Sequence, residues 1–86
     1  MRAPSPRFLR LVDRTWDRLT EQGLTVHYLS RCLVGVYCPV CVTGTIAIQF
    51  IDSDPPQLDI YSWRGDVKQD GCTAGCPARD IAERLL

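Results

Sequence analysis

Four of the chain's five cysteines fall into two short-spaced pairs. Cys38-Pro39-Val40-Cys41 is followed by thirty residues and then by Cys72-Thr73-Ala74-Gly75-Cys76. Two cysteines separated by two to four residues can reach one ion from a single tight turn, and zinc takes four such ligands tetrahedrally. Gly71 and Gly75 give the second turn backbone freedom, and Pro39 stiffens the first. The residue types and spacing therefore predict one structural Zn2+ held by Cys38, Cys41, Cys72 and Cys76. A thioredoxin-like redox pair needs a CxxC opening a helix within a βαβ unit, whereas Cys38 and Cys41 stand between two strand-like runs. An iron–sulfur cluster also uses four cysteines, and spacing leaves that alternative open. Four thiolates close the coordination shell, so a zinc hydrolase, which needs an open position and a general base, does not fit. Cys32 reads as a small buried hydrophobe beside a strand. His27, the one histidine, reads as a strand side chain and not a ligand.

The elements that must bring the two pairs together are legible as hydrophobic patterns. Ser5-Pro6 is a helix start, since serine caps free N–H groups and proline suits the first helical position. Phe8, Leu9, Val12, Trp16 and Leu19 recur at helical spacing over residues 6–22, and Gly23 marks the stop. Residues 1–5 are expected to form a disordered tail. The β-prone runs LTVHYL, LVGVY, TIAIQFI and LDIYSW follow, with a short fifth strand through Val67–Asp70. Ser53-Asp54-Pro55-Pro56 is a turn, and Arg64-Gly65-Asp66 reads as another hairpin turn rather than an adhesion motif. Pro77 opens a second helix, 77–86, in which Ala78, Ile81, Ala82 and Leu85 share a face. The expected architecture is a single α+β domain over residues 1–86. It is a zinc ribbon with a four- to five-stranded antiparallel sheet over 24–71 and a helix at each end.

Size and charge narrow the function. In 86 residues, 45% hydrophobic and 23% charged, one small domain with a thin core is expected. No apolar run reaches the ~18 residues of a membrane span, and no secretory leader is visible, so a reducing cytoplasmic setting is the expectation. The formal net charge is zero, falling to about −2 when four thiolates take one Zn2+. This balance argues against wrapping of nucleic acid by bulk electrostatics. Six arginines crowd residues 1–31, and Arg10, Arg14 and Arg18 form a stripe at four-residue spacing; five aspartates crowd residues 52–70.

The segment Leu33-Val34-Gly35-Val36-Tyr37-Cys38-Pro39-Val40-Cys41, with Cys72-Thr73-Ala74-Gly75-Cys76-Pro77-Ala78-Arg79-Asp80-Ile81-Ala82, resembles the N-terminal zinc ribbon of bacterial, plasmid and phage DNA primases and primase–helicases. The resemblance covers residues ~20–86. It implies a hydrophobic strand entering the first ligand pair, a β-hairpin, and a Cys-x-Ala-Gly-Cys turn leading into a short helix. Cys38, Cys41, Cys72 and Cys76 match its zinc ligands. Cys41 stands where that family usually has histidine, and Thr43-Gly44-Thr45 replaces its Pro-Ser segment. The acidic catalytic domain of a primase is not in this sequence, so a ribbon without polymerase activity is implied.

Two functions are consistent with these residues. The first is a non-catalytic module binding single-stranded DNA in replication or transcription. Tyr61 and Trp63 would stack bases and Arg64, Lys68 and Arg31 would meet phosphates, with Tyr28 a weaker stacking candidate. The second is a phage or mobile-element adaptor or inhibitor using Arg10, Arg14 and Arg18 against a protein partner. Tyr61 and Trp63 could equally pack on the N-terminal helix, which would remove them from any interface. No membrane or small-molecule partner is expected.

Overall fold

A computed structural model describes residues 3–30 and 32–86. Its elements run α1 (Pro6–Glu21), β1 (Val26–Ser30), β2 (Leu33–Tyr37), β3 (Thr45–Ile51), β4 (Gln57–Arg64), β5 (Val67–Asp70) and α2 (Ala78–Leu85). The α+β architecture is the one expected, and the sheet has five strands in the order β1-β2-β3-β4-β5, all antiparallel.

The start and stop of α1 follow from its terminal residues. Phe8 N–H donates to the Ser5 hydroxyl at 3.2 Å, with Pro6 in the first turn. Ser5 is also tied to the β3–β4 turn, its N–H and hydroxyl both donating to the Asp52 carboxylate. At the other end Gly23 adopts φ 70°, while its N–H and that of Leu24 close back on Thr20 and Leu19 carbonyls. This satisfies the carbonyls that a helix end otherwise leaves free. Phe8, Thr15 and Leu19 are buried, with Val12 and Trp16 packed beside them. Leu9, expected inward, is exposed on the flank of this arc, while Thr15 is buried with its hydroxyl donating to the Leu11 carbonyl. Helix α2 begins after Pro77, which offers no side-chain cap; instead Asp70 on β5 accepts from Ala78 N–H at 3.0 Å.

Strand alternation then decides which face is covered. Val36↔Ile46, Val34↔Ile48, Ile48↔Ile60 and Phe50↔Leu58 stack across β2, β3 and β4 on one face. Phe8 and Leu19 of α1 and Ile81 and Leu85 of α2 close over them to form the core. The opposite face carries the row His27↔Gly35↔Ala47↔Tyr61↔Asp70, flanked by Tyr37↔Thr45 and Trp63↔Lys68 on one side and Leu33↔Gln49↔Asp59 on the other. Neither helix covers this face. Cys32, expected to be buried, is exposed in the β1–β2 connection, where the strand alternation no longer directs it inward. No helix among the described residues is long and apolar enough to cross a membrane.

Candidate metal centre

The meander places the β2–β3 connection and the end of β5 close together, and each contributes one cysteine pair. In the first turn Cys38 N–H donates to the Gly44 carbonyl, and Val42 N–H returns to the Cys38 carbonyl at 2.9 Å. In the second, Cys72 N–H donates to the Cys76 carbonyl and Gly75 N–H to the Cys72 carbonyl. Two backbone amides also point at sulfur: Gly44 N–H at Cys41 Sγ (3.4 Å) and Cys76 N–H at Cys72 Sγ (3.3 Å). The turns are laced to each other and to the sheet. Thr73 N–H donates to the Thr45 carbonyl, Thr45 N–H donates to the Thr73 hydroxyl, and Gln69 bridges Ser62 Oγ and the Cys72 carbonyl.

The result is a quartet. The sulfurs of Cys38, Cys41, Cys72 and Cys76 lie within 4.8 Å of one another, with Cys38 and Cys72 wholly buried in the core. All four are free thiols; Cys41 Sγ and Cys72 Sγ stand 3.8 Å apart, far beyond a disulfide bond. The spacing-based set is thus gathered in full, and the donor chemistry fits a soft, tetrahedral metal ion. His27 is exposed on the open face and does not join it.

The sulfurs are not equivalent. Cys41 is lowered to about 6, chiefly because the Gly44 amide and then the Thr43 hydroxyl and amide point at its sulfur. Cys76 is pushed up to about 12, first by its hydrogen bond with Cys72 and then by burial. Burial raises Cys38. Metal ligation requires thiolates, so the metal-held form keeps every ligand deprotonated, and its stability is present at high pH and lost as pH falls. Retention of the metal should therefore fall as pH is lowered from about 8 to about 5, which metal content per chain after gel filtration at each pH checks; retention unchanged over that range would contradict ligation by thiolates.

One backbone position is strained. Val42, in the first cysteine turn, has φ 63°, whereas Gly23, Gly65, Gly71 and Gly75 hold the other left-handed positions among the described residues. For a residue bearing a Cβ this conformation costs roughly 1–2 kcal/mol, and branching at Cβ makes valine a poor fit. Nothing in the sequence pattern pointed to Val42.

The other expected site residues divide between the faces. Tyr61 and Trp63 lie on the open face, so they do not pack on α1. Their rings meet edge to face at 6.2 Å, Tyr61 being buried against its neighbours and Trp63 55% exposed. Tyr37, which sequence reasoning missed, joins them there at 48% exposure. Its signal was available: it alternates with the buried Val34 and Val36. Lys68 is not a free cation, because its ammonium lies 4.3 Å from the Tyr61 ring centroid and 3.2 Å from the Asp59 carboxylate. Arg64 is exposed at the end of β4 with no ion pair among the described residues. Arg10, Arg14 and Arg18 are exposed on α1; only Arg18 is paired there, with Glu21 at 3.6 Å. Arg31, and the side chain of Tyr28, lie outside the described residues.

No family model, curated protein or solved structure matches this chain.

Proposed function

We propose that the chain is a non-catalytic zinc module that binds single-stranded DNA on its open sheet face, in replication or transcription, as its resemblance to primase zinc ribbons implies. Zinc is favoured by the sulfur geometry. Four ligands at about 2.3 Å in a tetrahedron stand about 3.8 Å apart, and Cys41 and Cys72 are separated by 3.8 Å. A multi-iron cluster would need its thiolates spread around a larger body than sulfurs within 4.8 Å allow. Four thiolates leave the ion no open position, which makes its role structural and argues against metal catalysis.

The observation that carries the reading is the uncovered face with Tyr37 and Trp63 exposed on it. Stacking a base on an aromatic ring is worth about 1–3 kcal/mol and tolerates any base. Phosphate contacts are few. Arg64 has no ion pair among the described residues but alternates with Trp63 onto the other side of β4, while Lys68 would have to exchange Asp59 for a phosphate. Affinity should rest on stacking and depend only modestly on salt, because each neutralised phosphate adds about −0.7 to the logarithmic salt slope for single strands.

Titration of a labelled oligothymidylate about 12 nucleotides long at low salt tests this. Trp63→Ala should weaken binding by about 5- to 150-fold. Arg14→Glu, on the helical side, should leave binding unchanged. Absence of binding at about 100 µM protein would remove the nucleic-acid reading. Arg10 and Arg14, exposed and without an ion pair among the described residues, favour a second reading: a protein partner held by the α1 stripe. Loss of oligonucleotide binding in Arg14→Glu but not in Trp63→Ala would move the interface to that side.

A further inference from the structure

Val42 lowers the stability of its own turn and gains nothing visible from the core. It is the one non-glycine residue at positive φ among the described residues, and its side chain is 60% exposed. The backbone bond it makes, from its N–H to the Cys38 carbonyl, is open to any residue with an amide hydrogen. Glycine would make the same bond without strain, as it does at the four other left-handed positions. Strain that packing does not repay points to a role for the side chain itself.

Its place in the fold suggests that role. Val42 lies in the β2–β3 connection, and antiparallel order puts this connection at the same end of the sheet as the β4–β5 turn. Tyr37 is the last residue of β2, and Trp63 and Arg64 close β4. The metal end of the sheet therefore carries two exposed aromatic rings and, in the adjoining cysteine turn, an exposed branched apolar side chain. An apolar side chain beside an unstacked base can cover part of its ring and remove apolar surface of both from water.

We infer that Val42 is a third nucleic-acid contact, an apolar peg packing against a base of the single strand that stacks on Tyr37 and Trp63. This rests on the nucleic-acid reading above. The metal-loaded full chain tests it with Val42→Gly, Val42→Asn and Val42→Ile. Glycine and asparagine tolerate the left-handed backbone, so both variants should keep the metal and melt about 4–8 °C higher. Both should bind the labelled oligothymidylate about fivefold more weakly. Val42→Ile keeps the apolar peg and should bind like the unmodified chain.

Raised stability with unchanged binding in Val42→Gly and Val42→Asn would overturn the peg while leaving the nucleic-acid reading standing. Unchanged or lowered stability in both would remove the strain on which the inference is built. An unmodified chain that binds no oligonucleotide would overturn both readings together.

Discussion

Changing Cys38 and Cys72 to serine together, or stripping the metal with a strong chelator, is expected to unfold the domain. Both sulfurs sit inside the hydrophobic core with no exposed surface, and together with Cys41 and Cys76 they join the β2–β3 turn to the segment after β5. Structural zinc in small modules contributes about 10–16 kcal/mol of apparent binding free energy. A typical domain has only about 5–15 kcal/mol of net stability. The ion's contribution is thus as large as the whole margin, and little would remain without it. Far-UV circular dichroism should lose its helix and sheet signal on chelation and regain it when zinc is returned. A spectrum unchanged by a chelator that demonstrably removes the metal would show that the two helices and the sheet hold themselves.

The second large effect is expected from a single methyl group. Gly71 has φ 76°, and a Cβ placed there would overlap the Cys76 carbonyl oxygen. That carbonyl accepts from Cys72 N–H and defines the second cysteine turn, so it cannot move without displacing two ligands. Gly71→Ala should therefore abolish metal retention under conditions where Gly65→Ala does not. Gly65 has a similar φ of 63°, but nothing lies within 4 Å of its missing Cβ. Its substitution should cost only the roughly 1–2 kcal/mol of the left-handed backbone. Zinc content per chain after gel filtration separates the two. Equal zinc in both variants would mean that the turn opens more easily than its hydrogen bonds imply.

Much of this architecture is written in local residue patterns. The two cysteine pairs declared themselves by spacing because a tetrahedral ion constrains how far apart its ligands can lie along the chain. The helix ends at Ser5-Pro6 and Gly23 were readable for a similar reason, since capping is a local hydrogen-bonding problem. Which face of the sheet would be open was not readable. Strand β4 alternates Leu58, Ile60 and Ser62 against Asp59, Tyr61 and Trp63, and the aromatic side is the more hydrophobic at its end. Only the pairing of Ile60 with Ile48 and of Leu58 with Phe50 assigns the aromatic set outward, and that register depends on the 52–56 turn. The exposure of Cys32 and the left-handed Val42 were hidden for another reason. Both lie in connections, where side-chain direction follows the path of the turn and not a repeating period.

The strand order has a consequence for how the molecule is made. Each strand pairs with the strand next to it in the chain, so every hairpin closes a short loop at small entropic expense. The cysteine quartet is different, because Cys41 and Cys72 are 31 positions apart. During synthesis the first two sulfurs leave the ribosome as a half-site, with most of the sheet still to come. Metal capture by all four is then a closing event, one that cannot be completed before Cys76 has been made.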